Sequence, residues 1–264
     1  MRIILFFLLF LISITSTAQD DQKFFVGVNL GTKFGNKNYA ARYSGGYNDE
    51  LYQRIIQPEM YNRIRLTLND VDFTLPFDSY PQNVTYIPQL LTGVQVGYNI
   101  GPNLQINLEA NVAKMKIQDV FTIEVLDPSS TVTQQQYQIG NIYGEESRFT
   151  GRFNMDYVIE SDPINYLIGF SGVFSAWRMD EHFAEFNNVL IPLFSQFSLN
   201  NNLGNAVSDV GFGLGMNLGI EYGITDKVTM QLMYQPYGAR LDYGYTINKR
   251  LLLEHDIVAR FLWK

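Results

Sequence analysis

The chain has 264 residues, of which 46% are hydrophobic and 14% aromatic, with 21 glycines and only 17% charged; a soluble domain carries about a quarter charged residues, so much of this surface is expected not to face water. A formal charge of −7 argues against a nucleic-acid partner, because neutralising phosphates takes clustered Lys and Arg. The absence of cysteine excludes disulfides, thiolate metal sites and a lipid anchor built on an N-terminal cysteine.

Residues 1–18 have the form of an export signal. Arg2 supplies a positive start, Ile3 to Ile14 is almost wholly apolar, and Ser16-Thr17-Ala18 offers the small residues a signal peptidase needs, so the mature chain is expected to run from 19 to 264 as one domain. An uncleaved anchor helix is the alternative use of the same run, although it is shorter than the roughly 20 apolar residues that span a bilayer. Every later apolar run is broken within a few residues by Gly, Asn, Gln or a charge, so helical spans are not expected beyond it.

The remaining signal has a period of two, the mark of strands with opposite faces. The first strand is Phe24 to Phe34. A long connection follows to Pro88; within it Ile64–Leu68 and Val71–Leu75, around Asn69-Asp70, suggest a small hairpin too short to cross a bilayer. Strand two, Leu90 to Ile100, turns at Gly101-Pro102-Asn103 into strand three, which starts at Leu104 and continues past Lys114 as a hairpin around Asp127-Pro128-Ser129-Ser130. Strand four, Phe149 to Ile159, turns at Ser161-Asp162-Pro163 into strand five, Ile164 to Ala176. A connection from Arg178 to Asp209 carries the apolar segment Val189 to Phe197. The hairpin Val210 to Gln235 gives strands six and seven, and after a loop from Pro236 to Arg250 strand eight ends the chain at Leu253 to Trp263.

In the clearest strand Phe212, Leu214, Met216, Leu218, Ile220 and Tyr222 alternate with Gly211, Gly213, Gly215, Asn217, Gly219 and Glu221. Alternation alone also fits a soluble ligand-binding barrel with its apolar face inside. Size separates the two readings, because an eight-stranded barrel encloses only enough room for side chains to fill, and eight rows of Phe, Tyr, Leu and Met would overfill it. The expected fold is therefore all-β: an eight-stranded antiparallel up-and-down transmembrane β-barrel with small polar residues in the lumen, large apolar residues toward outer-membrane lipid, short periplasmic turns and long extracellular loops. Lys33, Glu109, Arg152, Asp156, Glu221, Glu254, Asp256 and Arg260 fall on the inner face with both signs present, a network that would plug a narrow lumen.

Export signal, alternating strands and the aromatic last strand Ile257 to Lys264 together resemble the small outer-membrane β-barrel proteins of Gram-negative bacteria, the OmpA and OmpX type. The resemblance covers nearly all of the mature chain and rests on patterns rather than fixed residues. It implies an outer-membrane location and reading of the final strand by the barrel assembly machinery, with Phe261 and Trp263 as the signal; Lys264 departs from the usual terminal Phe. Some small barrels modify lipid A with a His, a Ser and an acid. Here His182, beside Asp180 and Glu181 and near Ser175, allows such a site to be drawn, while His255 falls on the lipid face. The spacing is not diagnostic of a triad, so the reading is non-enzymatic. No cofactor is implied, and the acidic runs at Asp180 to His182 and Asn69 to Asp72 match no calcium loop.

Function is then expected to lie in the loops, in a structural or interaction role rather than as a general pore. Leu51, Tyr52, Ile55, Ile56, Met60 and Tyr61 in the first, and Val189, Leu190, Ile191, Leu193, Phe194 and Phe197 in the third, are too apolar for free tips; they either cap the barrel or meet a protein partner. An accessory subunit of an outer-membrane secretion or assembly machine is the alternative function, and a lipid A modifying enzyme a second one.

Overall fold

A computed structural model describes residues 23–46, 49–127, 136–195, 208–241 and 252–264. The expected export signal and Phe197 lie outside the described residues. Among the described residues there are ten strands: β1 (Phe24–Phe34), β2 (Asp72–Thr74), β3 (Gln89–Asn99), β4 (Leu104–Leu126), β5 (Gln136–Ile159), β6 (Asn165–Phe186), β7 (Val189–Ser195), β8 (Ser208–Thr225), β9 (Val228–Ala239) and β10 (Leu252–Trp263). Every pairing between them is antiparallel.

The pairings run β1 to β3, β3 to β4, β4 to β5, β5 to β6, β6 to β8, β8 to β9, β9 to β10 and β10 back to β1, so the hydrogen-bonded ladder of these eight returns to its first strand. Where the sequence predicts eight strands, the described residues hold ten. The additional two are short pieces of the connections: β2 pairs with the far end of β4, and β7 with the far end of β6. Three tight turns, between β3 and β4, β5 and β6, and β8 and β9, lie at the same edge as the start of β1 and the end of β10, where Val26 pairs with Trp263.

Several boundaries differ from the sequence reading. β5 begins at Gln136 and β6 continues to Phe186, so these strands, with β4, rise roughly ten residues beyond the rest of the circuit. β9 extends through Tyr237 to Ala239, into what the pattern assigns to a loop. Of the hairpin expected at 64–75, the first arm is the end of a helix and only the second arm is a strand, β2. Helix α1 (Lys37–Ala40) runs into a 3-10 turn (Ala41–Tyr43), and helices α2 (Glu50–Ile55) and α3 (Pro58–Thr67) precede β2. Ile64 and Leu68 are buried on one side of α3 while Leu66 between them is 66% exposed: a spacing of four, helical, inside a run that also reads as alternation.

Two apolar clusters sit in this upper half. One joins Tyr39, Ala40 and Tyr43 to Tyr86, Met115, Trp177, Met179, Leu241 and Leu252 at the mouth of the circuit. The other packs Leu51, Ile55, Ile64 and Leu68 against Phe121, Ile123, Ile142, Phe186 and Ile191 on the inner side of the raised strands.

Candidate functional site

On the eight strands of the circuit the two faces carry opposite chemistry. Phe212 and Leu214 are 73% and 77% exposed, while Gly211, Gly215, Asn217 and Glu221 of the same strand are buried. Glycine at 215 reflects close approach, because a Cβ there would stand 2.9 Å from Cβ of Tyr237. Lys33, Glu109, Arg152, Asp156, Glu221, Glu254, Asp256 and Arg260 are all buried, and they meet one another across the enclosed space.

Their contacts form layers. Nearest the tight turns, Gln231 donates to Glu221 at 2.8 Å and to Gln105 at 3.1 Å. Next, Arg260 pairs with Glu109 at 2.8 Å and approaches Asp156 at 3.7 Å. Amides complete this layer: Asn217 donates to Asp156 at 2.6 Å, and Asn154 and Gln235 donate to Glu109 at 3.0 and 3.2 Å. Above it Asp256 is held by Arg152 at 2.7 Å and Lys33 at 3.4 Å, with the Arg152 guanidinium 4.5 Å over the ring of Tyr237. The Tyr237 hydroxyl donates to Glu254 at 2.5 Å and accepts from Lys33. At the top Arg148 bridges Glu146 and Glu254 and donates to Tyr86 at 3.1 Å. Each buried charge has an opposite charge or a polar partner, which is what makes its burial tolerable.

The loop from 35 to 88 closes this column. Arg148 lies under the rings of Tyr39 and Tyr86, at 5.5 and 5.0 Å, and the Tyr43 hydroxyl donates to Glu146 at 2.8 Å. A Cβ at Gly144 would collide with the Tyr43 ring, so glycine there is what lets the ring enter. Sequence reasoning missed Glu146, Arg148 and Tyr237. The signal was available: Gly144, Glu146, Arg148 and Thr150 continue the inward parity of strand four, but the outward Glu145 and Ser147 are polar, so the contrast between faces disappears there.

His182 is no rim residue in open solvent. It lies in the raised part of β6, fully buried beneath the loop, with Nε2 3.3 Å from the carbonyl of Tyr43 and the Tyr43 ring edge-on at 5.2 Å. Burial, and then the nearby Arg42 guanidinium, push the imidazole down to about 3. Arg42 makes a two-pronged pair with Glu50 at 3.0 and 2.9 Å. Ser175 is seven residues along the same strand, about 23 Å at ~3.3 Å per residue, so the triad that can be drawn from the sequence is not assembled. Asp180 instead accepts from Ser147 and Arg178. His255 faces outward and stacks on Phe34 at 4.9 Å.

Of the loop residues, Leu51, Ile55, Val189, Ile191 and Leu193 are buried in the shared cluster, whereas Tyr52, Ile56 and Leu190 remain exposed. Phe194 lies in β7. At the end of β10 Trp263 is exposed and Phe261 half-buried on the outward face.

No protein-family model matches this sequence, and no curated protein matches it. Among solved structures the chain is similar to Neisserial surface protein A (11% identity, 91% of this chain and 96% of that one, TM-score 0.45). It is also similar to the N-terminal β-barrel domain of Pseudomonas aeruginosa OprF (9%, 92% and 98%, 0.32), and to the outer membrane protein OprG from the same organism (9%, 91% and 92%, 0.37).

Proposed function

We propose that the chain is an integral outer-membrane β-barrel with a narrow, plugged lumen, whose role is structural or interactive, is carried by its extracellular loops, and involves no catalysis. The observation that carries this reading is the inversion of the circuit: large apolar side chains face out and stay exposed while charges, amides and glycines face in and are buried. Water cannot cover such an exterior at acceptable cost, whereas bilayer hydrocarbon can, and a closed circuit leaves no strand edge unpaired in it.

The outer surface supplies a depth scale. Tyr98, Tyr157, Tyr166, Tyr222 and Trp263 are exposed near the tight turns, and Phe149, Phe174 and Phe212 cluster at the other end, with Phe174 and Phe212 rings 5.4 Å apart. Phe212 and Tyr222 are ten residues apart on β8, about 33 Å along the strand and ~25 Å in height at a tilt near 40°, which suits the apolar band of an outer-membrane barrel. Export is assigned to residues 1–18 and recognition by the barrel assembly machinery to Phe261 and Trp263.

Membrane fractionation combined with gel mobility before and after boiling tests the assignment. The expected result is a detergent-extractable protein whose unboiled form migrates differently, with mature protein beginning at Gln19. Recovery in the soluble periplasmic fraction without detergent would refute it.

A further inference from the structure

The registers of three neighbouring strands place an abrupt chemical step on the outer surface. Val112 pairs with Phe149 and Phe149 with Ala176, an apolar row; one step further from the tight turns, Lys114 pairs with Ser147 and Ser147 with Arg178, two exposed cations flanking a hydroxyl. A groove of about 730 Å³ straddles this step, with Leu90, Val112 and Phe149 at its apolar end and Lys114, Lys116 and Arg178 at its cationic end. Directly above, a second depression of about 270 Å³ shares Lys116 and is walled by Tyr143 and Phe183, whose rings stack at 5.0 Å.

Resting on the outer-membrane reading, we propose that this double groove binds one phosphorylated glycolipid of the outer leaflet. Its acyl chains lie over Leu90, Val112 and Phe149, a phosphate sits between Lys114 and Arg178 over Ser147, and the sugar extends toward the Tyr143–Phe183 stack. The order of chemistry selects this occupant: a soluble anion has no use for the apolar floor, and an uncharged lipid none for the cations. Acidic groups share the ledge. Glu145 pairs with Lys114 at 2.6 Å and Lys116 at 3.4 Å, Asp180 with Arg178 at 3.0 Å, and Glu181 lines the upper depression. The Lys114 and Arg178 side chains are 65% and 56% exposed while their partners Glu145 and Asp180 are 22% and 15% exposed, so each pair is screened by solvent from its cation side. A phosphate can therefore approach both cations from the solvent side and compete with the carboxylates for them, Asp180 keeping the hydrogen bond it accepts from Ser147.

The test is native mass spectrometry of the full chain in detergent, offered lipid A bearing both phosphates, lipid A stripped of them, or the phosphorylated form with excess inorganic phosphate. Retention of phosphorylated lipid A is expected, weakened at least about tenfold by dephosphorylation and by Lys114→Gln with Arg178→Gln (~1.4 kcal/mol), and unmoved by inorganic phosphate. Equal retention of both lipids, no loss in the double variant, or displacement by inorganic phosphate would each overturn the site. Boiled and unboiled gel mobility run alongside separates the two levels: a variant that still shifts on boiling is a folded barrel, so its behaviour reports the groove, whereas wild type that never shifts refutes the barrel itself.

Discussion

At the scale of single residues, the buried column makes its own prediction through Arg260, the cation shared by Glu109 and Asp156. Replacing it with Leu leaves two carboxylates in a space that water does not reach. Breaking a buried pair by removing one partner costs about 3–5 kcal/mol, so Arg260→Leu is expected to lower the unfolding free energy of the lipid-reconstituted protein, read from its urea transition, by that amount. Adding Glu109→Gln should recover part of it, and a second variant no better than the first would mean that Glu109 is satisfied by its amides alone. The outward face is probed by depth. Leu218 lies near the middle of the Phe212 to Tyr222 span, where an Arg costs roughly 2–4 kcal/mol, while Leu214 lies closer to the outer interface, where the cost falls. Leu218→Arg should therefore destabilise more than Leu214→Arg in the same vesicles; the reverse order would misplace the membrane on β8. Parity makes these inward and outward positions legible in the sequence, because Asn217 and Leu218 differ in both size and polarity. Parity fades at Arg148, where the outward positions before it, Glu145 and Ser147, are as polar as the inward ones and pairing with β4 and β6 fixes which way the chain points.

At the scale of elements, strands that cross the proposed membrane are legible and those that rise above it are not, for one physical reason: lipid demands an apolar outer row, and above the lipid that demand ends. By pattern β6 therefore stops at Ala176, although its ladder continues to Phe186 and folds back through Asn187 and Asn188, both with positive φ (44° and 65°). Two consecutive left-handed residues build the tight turn whose twist suits a hairpin, and the Asn-Asn pair was a sequence signal for β7. The same raised region carries a pH prediction. His182 is held at about 3, below its unfolded value of about 6.5, so neutrality contributes stability that is complete above pH ~6.5 and is lost as pH falls from there toward 3. Protonation would place a cation beside Arg42; Glu50, with Oε2 3.8 Å from Nδ1, is the carboxylate placed to meet it but is already engaged by Arg42. Lowering pH from 7 to 4.5 should therefore speed hydrogen exchange in α2 and α3, after correction for intrinsic rates, by up to about tenfold per pH unit below 6.5. A His182→Asn variant should lose that dependence; if it retains it, another group is titrating.

At the scale of the whole molecule, two barriers stand in series along the axis, and they differ in kind. The upper one is a cover of Tyr39, Tyr43 and Tyr86 supplied by the loop from 35 to 88; the lower one is built into the strands, from the Lys33, Arg152 and Asp256 layer down to Gln231 and Glu221. The cover is held by the raised strands through Gly144 and Glu146, whereas the column is held by the circuit and needs no loop. Replacing residues 37–86 with a short Gly/Ser linker should accordingly leave a barrel that still inserts and still shifts on boiling, because the pairing of β1 with β3 and β10 does not pass through the loop. It should also remain closed. Planar-bilayer recordings of the excised protein are expected to show no discrete conductance steps, since the three strand-built layers of hydrogen-bonded side chains still fill the lumen and opening them would strand buried charges. Stable steps after excision would put the barrier in the cover and turn the loop from an interaction surface into a gate. Silence after excision, followed by steps once Arg260→Leu and Glu109→Gln are added, would assign closure to the column and leave the loops free for the role proposed for them.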